Sequence, residues 1–308
     1  MKKHLALVAA AAASVVLAAC SSGNPLASPA PGSGSPSGSA AAVSVVVGSA
    51  NFPENELLAQ IYAKALAAKG VQVSTKLNIG SRETYVPALK NGEINLIPEY
   101  TGAFAKYLNP DADTSTTDAA LSALKAALPE NLTVLDPAPA QDNDSITVTR
   151  ATADQYGLKT IEDLVPHAPQ LVLGGPPEWK SRSYGIPGLQ KTYGLQFKSF
   201  KALDTAGPLT VQALKNGQVQ AANLFTTDPA IKANDFVTLT DTKSFFGSQN
   251  VVPVITREKA TPEVSAALNA VSAKLDTDTL ATLVSKVVTD KQDADQVAAG
   301  WLSSVGLA

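Results

Sequence analysis

After residue 42, the hydrophobic positions alternate between short strand-like runs and longer stripes with helical spacing. Val43 to Val47 is a β-branched run of strand character, and Pro53, a residue suited to a first turn, predicts the start of a helix. The apolar side chains of that helix recur at helical spacing from Leu57 to Leu66. A strand, a helix and a strand are predicted next, over 71–77, 83–90 and 94–97. This order predicts a parallel α/β sheet, whose ligand crevice lies at the carboxyl ends of the strands.

A second unit of the same α/β type begins near residue 146. Short strands are predicted over 146–149, 171–173 and 219–223, and helical stretches separate them. From residue 261 onward the pattern is helical only, with apolar stripes that include Leu268, Leu283 and Trp301. Such stripes most simply predict helix packing against a core. A chain of 308 residues is about twice the length expected of one domain, which agrees with two lobes.

One internal repeat places similar residues near the end of a strand in both units. Ala88–Gly92 recurs as Ala213–Gly217, and eight residues after each glycine an aromatic residue is followed by threonine. The two pairs are Tyr100 with Thr101 and Phe225 with Thr226. Because α/β folds bind ligands at the carboxyl ends of strands, the repeat predicts two lobes that face each other across a cleft, each with a ring and a hydroxyl group. A chance match of a common helix-stop sequence is the alternative.

The first 42 residues have the composition of a targeting segment and a tether. Two lysines precede an apolar stretch that is too short to span a bilayer and that ends in Leu17-Ala18-Ala19-Cys20. This stretch resembles the bacterial lipobox, which implies removal of residues 1–19 as a signal peptide and lipidation of Cys20. Residues 20–42 comprise that cysteine and a stretch dominated by Ser, Gly, Pro and Ala, which predicts a flexible tether. The globular part is therefore expected outside the cytoplasm, held by a lipid anchor.

Composition and charge exclude several classes of protein. The 24 basic and 27 acidic residues give a net charge of −3, without the basic excess that nucleic-acid binding requires. One cysteine and two histidines do not suffice for a disulfide framework or a CxxC-type zinc site. The turn Asp142-Asn143-Asp144 is not followed by an EF-hand loop, so a calcium site is not expected. No cofactor, metal or nucleic-acid partner is predicted.

Catalytic motifs are also missing from the sequence. It contains no G-x-S-x-G element, no H-E-x-x-H pair and no P-loop. Ser122 and Lys125 match S-x-x-K, but neither S-D-N nor K-T-G accompanies them, and an amphipathic helix explains them better. We therefore predict a binding protein and not an enzyme.

Several motifs resemble one known family. They are Gly48-Ser49-Ala50-Asn51-Phe52, Ala88–Ile94, Pro98-Glu99-Tyr100-Thr101-Gly102, Pro177–Arg182, Gly188-Leu189, Lys191–Leu195 and Ala213–Gly217. Together they resemble the glycine betaine/carnitine/choline-binding proteins of osmoprotectant ABC importers, the OpuAC family, over residues 43–308. The resemblance implies a type II periplasmic-binding-protein fold, in which two α/β lobes are joined by two crossover strands with a ligand cleft between them. On this pattern the first lobe is 43–143 plus 249–308, and the second is 144–248.

Candidate ligand contacts follow from the resemblance, position by position. In the family an aromatic cage holds a trimethylammonium group, because a quaternary ammonium has no hydrogen-bond donor and is attracted to ring faces. Tyr100 matches a cage tyrosine, and Phe225 stands at a second cage position. Arg182 matches an arginine that binds a carboxylate, and Trp179 lies in the same loop.

The sequence departs from the family pattern at other cage positions. Ser145 stands where a third tyrosine is usual, and Gln249 and Asn250 lie near a fourth position without any ring. Arg82 belongs to a Gly-Ser-Arg segment where the family has Gly-Gly-Thr. An incomplete cage predicts weak binding of glycine betaine, and these polar side chains favour a polyol, a glycoside or a hydroxylated aromatic. A betaine-type osmolyte remains the expectation at the level of the family.

The resemblance implies a transport function. The protein is expected to capture a small osmoprotectant of the betaine, choline or carnitine class, close its lobes around it and deliver it to an ABC permease. A separate cytoplasmic ATPase is expected to supply the energy, since this chain has no nucleotide-binding motif. We expect a monomer that is held to the cell membrane through the lipid on Cys20. A surface-anchored adhesin or interaction protein on the same fold, without a transport role, is the alternative.

Overall fold

The computed structural model describes residues 43–308. The predicted signal peptide, the lipidation site Cys20 and the tether lie outside the described residues. The described part is mixed α/β, and its strands form two five-stranded sheets. Within this part, no helix combines the length and the apolar character needed to cross a membrane.

The first sheet combines parallel and antiparallel pairs. It consists of β1 Ser44–Gly48, β2 Gln72–Lys76, β3 Leu96–Tyr100, β4 Leu132–Val134 and β10 Val251–Thr256. The strand order is β2-β1-β3-β10-β4. β1 pairs in parallel with β2 and β3, whereas β10 runs antiparallel to both β3 and β4. The chain therefore returns to its first sheet after building the second one.

Helices cover both faces of the first sheet. They are α1 Pro53–Ala67, α2 Arg82–Lys90, α3 Thr101–Leu108, α4 Thr117–Ala127, α9 Pro262–Ser272, α10 Thr277–Val288 and α11 Ala294–Ser304. Helix α1 packs on α9, α10 and α11 and buries Leu58 and Leu66 between them. On the other face, Leu89 of α2 and Phe104 of α3 pack with Ile97 of β3. The apolar stripes after residue 261 thus serve as core contacts, as their spacing predicts.

The second sheet repeats the layout of the first. It consists of β5 Asp144–Thr149, β6 Val172–Gly175, β7 Ser199–Ala202, β8 Ala221–Phe225 and β9 Phe236–Thr238, in the order β7-β6-β8-β5-β9. β6 is parallel to β7 and β8, and β5 is antiparallel to β8 and β9. Its helices are α5 Arg150–Tyr156, α6 Ile186–Tyr193, α7 Pro208–Lys215 and α8 Pro229–Ala233. In each sheet, the fourth strand in order is antiparallel to both its neighbours.

Two segments, 135–143 and 239–250, connect the sheets. They run antiparallel to each other at a bridge between Gln141 and Asn250, and the Asp142 N–H donates to the Gln249 carbonyl at 3.2 Å. Because the segments pair side by side, both connections between the lobes pass through one place.

The two repeated strands, β3 and β8, differ from their predicted bounds in the same way. Both begin later than the hydrophobic pattern predicts, because Ile94 and Val219 donate their N–H groups back to the preceding helix at 3.3 and 3.2 Å. Both strands also extend further, so that Tyr100 and Phe225 are their last residues and do not follow them. The repeat therefore places both rings at the carboxyl end of a strand.

Candidate ligand-binding site

A cavity lies between the two lobes, at the carboxyl ends of β3, β6 and β8. Within residues 43–308, six aromatic side chains line it: Phe52, Tyr85, Tyr100, Trp179, Tyr184 and Phe225. The polar part of its wall includes Arg82, Arg182, Asp142, Asp144 and Glu178. A wall of rings with a few fixed polar groups is typical of a site for a small solute.

Phe52 joins the two rings that belong to the internal repeat. Its ring centroid lies 6.2 Å from that of Tyr100 and 5.0 Å from that of Phe225. Phe52 directly precedes α1 and Tyr100 ends β3, both in the first lobe, whereas Phe225 ends β8 in the second. The rings of both lobes therefore form one cluster at the cavity, and such a cluster attracts a quaternary ammonium group.

Arg82 is held by a buried carboxylate. Its Nε and Nη2 atoms donate to the two Glu99 carboxylate oxygens at 2.9 and 2.6 Å, and the Tyr85 hydroxyl donates to Glu99 at 2.5 Å. The third nitrogen, Nη1, donates to the Tyr184 hydroxyl of the second lobe at 2.9 Å. Burial by itself would lower the Arg82 pKa, but the charge and hydrogen bonds of Glu99, together with the nearby Tyr85 and Tyr184, outweigh burial and raise it. The Arg82 charge is thus already paired, and the Arg82–Glu99 pair holds two of the cavity tyrosines, Tyr184 through Arg82 and Tyr85 through Glu99.

The Arg182 side chain reaches from the second lobe across the cleft to the first. Its Nε and Nη2 atoms donate to Glu83 of α2 at 3.0 and 2.6 Å, and Nη2 lies 3.6 Å from Glu178. Partial burial would raise the Glu83 pKa, but the hydrogen bonds from Arg182 and Ser81 lower it to about 2. Nη1 of Arg182 makes no hydrogen bond to residues 43–308, so it can serve a ligand carboxylate.

A pair of carboxyl groups lies beside the ring cluster. Glu54 accepts hydrogen bonds from the Tyr100 hydroxyl at 2.7 Å and from the Thr227 hydroxyl at 2.6 Å. Asp142 accepts the Thr227 N–H at 3.0 Å, so that Thr227 links the two carboxyl groups. Burial raises the pKa of both carboxyl groups, and the nearby charge of Glu54 raises the Asp142 pKa further.

No lysine or arginine in the described part of the chain forms an ion pair with Glu54 or Asp142. Two buried carboxyl groups without a cation are most stable when they share a proton, because two adjacent negative charges would repel each other. The pair joins α1 of the first lobe to the segment after β8 through Thr227, so it belongs to the contacts that hold the lobes together.

Six of the sequence-predicted site residues lie on the cavity wall. They are Tyr100, Phe225, Trp179, Arg82, Arg182 and Gln249. Trp179 is only 1% exposed, and its ring centroid lies 5.9 Å from that of Phe246, so it also belongs to the core of the second lobe. The Gln249 side-chain amide approaches the Asp144 carboxylate at 3.5 Å.

Four other predicted site residues do not line the cavity: Thr101, Ser145 and Asn250 are buried behind its wall, and Thr226 is exposed to solvent. The side chains of Thr101, Ser145 and Asn250 donate to main-chain carbonyl groups at 3.2, 2.8 and 2.9 Å. The Thr226 hydroxyl donates to Asp142 at 3.2 Å. These polar groups satisfy buried partners in and around the connecting segments, and they support the cleft without facing it.

The side chains on the cavity wall that the sequence did not predict include Phe52, Tyr85, Tyr184 and Asn223. Phe52 carries the same signal as Tyr100, because it stands between the end of a predicted strand and the start of a predicted helix. Tyr184 lies in the loop that already contains Arg182. Tyr85 lies within α2, and its direction depends on how that helix packs, which the sequence pattern does not reveal.

Two α/β lobes, two paired connections and a ring-lined cavity between the lobes define the class of periplasmic-type solute-binding proteins. Residues 43–304 match the family described as the substrate binding domain of ABC-type glycine betaine transport system, and the chain belongs to this family. The protein is therefore a substrate-binding protein of an ABC-type importer and not an enzyme. Such proteins work outside the cytoplasm, bind small ligands and deliver them to a permease.

Similar proteins and structures agree with this assignment. The glycine betaine-binding protein YehZ of Escherichia coli (strain K12) is 28% identical over 280 residues, which cover 86% of this chain and 92% of YehZ. The ergothioneine transport permease/ergothioneine binding protein EgtU of Helicobacter pylori (strain G27) is 26% identical over 268 residues, or 85% of this chain. This chain spans 48% of the length of EgtU.

A solved structure shows the same fold at low sequence identity. It is described as a glycine betaine/carnitine/choline ABC transporter, has a TM-score of 0.67 and 24% identity, and covers 85% of this chain and 99% of its own. The predicted family and the predicted type II binding-protein fold are thus confirmed.

Proposed function

We propose that the protein captures a quaternary-ammonium solute of the betaine, choline or carnitine class between its lobes. The observation that carries this proposal is the set of six rings on the cavity wall within the described residues. A trimethylammonium group donates no hydrogen bond and spreads its charge over its methyl groups, so ring faces recognise it better than polar side chains do.

The charges of the wall also favour a cation. Arg82 is paired with Glu99, and Arg182 is paired with Glu83 and Glu178. Asp144 also lies on the wall, and it forms no ion pair within residues 43–308. An ammonium group would therefore enter a cavity in which the arginine charges are already compensated and a carboxylate is left over.

The composition of the wall supports a quaternary-ammonium ligand over the alternative of a polyol, a glycoside or a hydroxylated aromatic. That alternative rested on a cage with few rings and on polar side chains at the missing cage positions. Phe52, Tyr85 and Tyr184 add rings to the wall, while Ser145 and Asn250 use their polar groups behind it. Both differences favour a quaternary-ammonium ligand over a hydroxyl-rich one.

We propose that residues 43–143 with 249–308, and residues 144–248, move as two rigid lobes. In support of this, each part has its own sheet, and the two connecting segments are paired at one place. The polar contacts that cross the cleft include Arg182 with Glu83 and Arg82 with Tyr184. A ligand that contacts both lobes would favour the closed arrangement by its differential affinity, and the closed protein would engage the permease.

We further propose that lipid on Cys20 anchors the protein, as a monomer, to the cell membrane. The lipobox-like sequence before this cysteine supports the anchor, and the stretch rich in Ser, Gly, Pro and Ala supports a tether. A flexible tether of this length reaches roughly 25 Å. The cavity would then stay close to the permease, whose transport is energised by a separate cytoplasmic ATPase.

Titration calorimetry with a panel of solutes tests the ligand class. Choline, carnitine and glycine betaine represent quaternary ammonium compounds, and sorbitol represents polyols. We expect saturable binding within the first group and none with sorbitol at millimolar concentration. Native mass spectrometry of the protein as purified adds an unbiased check for a ligand carried from the host cell. Binding of sorbitol, together with no binding of any quaternary ammonium compound, would overturn the proposal.

A further inference from the structure

An unpartnered hydrogen-bond acceptor lies at the cavity wall. Asn223 is fully buried in β8, two residues before Phe225 and therefore on the same face of the sheet. Its Nδ2 atom donates to Asp144 at 2.9 Å and approaches the Ser145 carbonyl at 3.4 Å. Its Oδ1 atom is buried without a hydrogen-bond partner.

The orientation of the Asn223 amide follows from its neighbours. The Ser145 carbonyl and the Asp144 carboxylate are acceptors, so the NH2 group must face them. The Oδ1 atom is therefore the one left without a partner, since a flipped amide would set acceptor against acceptor.

Asp144 adds a second acceptor at the same place. It is directly opposite Phe225 in the β5–β8 register and lies on the cavity wall. Its hydrogen-bond partners are Asn223 at 2.9 Å and Gln249 at 3.5 Å, the second one long. Burial raises the Asp144 pKa, and these hydrogen bonds only partly oppose the rise. A further donor would stabilise the carboxylate.

Asn223 differs from the other buried polar atoms without a partner. In the described part of the chain these other atoms belong to Thr114, Asn143, Glu162, Thr256 and Ser272, and none of those residues lines the cavity. An unsatisfied buried acceptor is destabilising, and a ligand could remove this penalty only at a site that it reaches. The unpartnered atom at the cavity wall is therefore the one with a ligand-dependent role.

We propose that Asn223 and Asp144 form a donor-binding subsite, and that the ligand is a quaternary ammonium compound that also carries a hydroxyl or ring N–H group. This inference rests on the proposed function and names the ligand more closely. Glycine betaine has no O–H or N–H donor, so it leaves Asn223 Oδ1 unsatisfied. A donor placed beside the Phe225 ring satisfies Asn223 Oδ1 or Asp144, while the ring cluster holds the ammonium group.

Matched ligand pairs test the subsite in the wild-type protein. Choline and propyltrimethylammonium differ by a hydroxyl against a methyl group, and carnitine and γ-butyrobetaine differ by one hydroxyl. In at least one pair we expect the hydroxylated member to bind about tenfold more tightly by calorimetry, since one hydrogen bond to a buried acceptor is worth about 1–2 kcal/mol. Ergothioneine, which adds ring donors to a betaine, is a third probe.

A variant assigns the preference to Asn223. Asn223→Leu removes the acceptor at similar volume, and we expect the preference within the pair to fall below about twofold. Asn143→Leu is the matched control, because its Oδ1 atom is also buried without a partner but lies off the cavity wall, so the preference should persist. Thermal melts of both variants report on folding.

The outcomes separate the two proposals. If no quaternary ammonium compound binds, the proposed function fails. If these compounds bind but the wild-type protein shows equal affinity within both pairs, the donor subsite is wrong while the proposed function stands. This comparison uses the wild-type protein, so it decides the question even if Asn223→Leu does not fold. A preference that survives in a folded Asn223→Leu protein would also overturn the role of Asn223.

Discussion

Arg182 of the second lobe and Glu83 of the first form a two-point ion pair across the cleft, with Nε–Oε1 and Nη2–Oε2 distances of 3.0 and 2.6 Å. Two parallel N–H···O bonds of this kind fix orientation as well as distance. The Glu83 side chain remains 48% exposed, so solvent limits the energy of the pair. We therefore propose that the pair acts as a latch between the lobes and contributes little to the folding of either one.

Replacing Glu83 by glutamine should accelerate ligand release. Loss of an ion pair with one solvent-accessible partner costs about 0.5–1 kcal/mol, which corresponds to about a two- to fivefold faster dissociation rate. The melting temperature should change little. Stopped-flow fluorescence measures the rate, because Trp179 lies on the cavity wall and reports on its occupation.

A second ion pair provides the control for the latch. Arg150 and Asp235 also form two hydrogen bonds, at 3.3 and 3.2 Å, but both residues belong to the second lobe and are exposed. Asp235→Asn should therefore leave the release rate unchanged. Equal effects of Glu83→Gln and Asp235→Asn would show that the Arg182–Glu83 pair has no special role in closure.

The buried carboxyl groups of Glu54 and Asp142 lead us to predict that closure of the two lobes depends on pH. Burial raises their pKa values, and we expect opening of the lobes, which would withdraw Thr227 from both groups, to expose them to water and lower these values toward the ordinary value of about 4. At pH values between the lower pKa values of the open form and the raised pKa values of the closed form, the closed form holds more protons than the open form. By linkage, its stability then falls as pH rises, by up to about 1.4 kcal/mol per pH unit for one proton.

Asp142→Asn tests this pH dependence. An asparagine side chain keeps the size of the protonated carboxyl group and removes the second negative charge, so the affinity of the variant should decline less from pH 5 to pH 9. Calorimetry with choline across this range measures the slope, and the nearby Asp228, which also acts on Glu54, is left intact in both proteins. Parallel profiles for the wild type and the variant would contradict the shared proton.

The lipobox-like sequence that ends in Cys20 predicts that the protein is attached to the membrane by lipid. Cys20→Ser removes the thiol that would carry lipid, so the variant should remain unprocessed or leave the anchored fraction. Palmitate labelling and fractionation of cells measure this, with the wild type as the reference. A variant that incorporates label and stays with the membrane as the wild type does would argue against lipidation at this position.

The sequence predicts the architecture well because its signals are local. The strand and helix patterns, together with motifs such as Pro98-Glu99-Tyr100-Thr101-Gly102, predict the α/β lobes and the family. The internal repeat leads to Tyr100 and Phe225 because both rings are positioned by the end of a strand, which a single segment determines. Such positions can be predicted without knowing which residues pack against them.

The rest of the site depends on contacts between distant segments. Tyr184 reaches the cavity because Arg82, 102 residues earlier, donates to its hydroxyl group. Ser145 was predicted at the cavity from its place in the family pattern, but its hydroxyl group donates to a main-chain carbonyl of β8. Whether a polar side chain faces a ligand or satisfies a buried backbone group is decided by tertiary hydrogen bonding, which no pattern within one segment specifies.

The ring cluster around Phe52 yields the sharpest test of how an ammonium group is held. Phe225→Leu preserves an apolar contact but removes a ring face. Its affinity for choline should therefore fall about five- to thirtyfold, the equivalent of about 1–2 kcal/mol of cation–π attraction. Its affinity for 3,3-dimethylbutan-1-ol, in which carbon replaces the charged nitrogen, should change less than threefold, because that molecule has the same shape without the charge.

The control variant, and the outcome that would contradict this prediction, are measured with the same two ligands. Phe197→Leu replaces a half-buried ring that packs on the core of the second lobe and does not line the cavity, so both affinities should stay near their wild-type values. If Phe225→Leu weakens choline and its uncharged analogue equally, the ring acts through apolar area alone. In that case the charge of the ligand must be balanced elsewhere on the wall, and Asp144 is the nearest carboxylate to Phe225 in the sheet register that could do so.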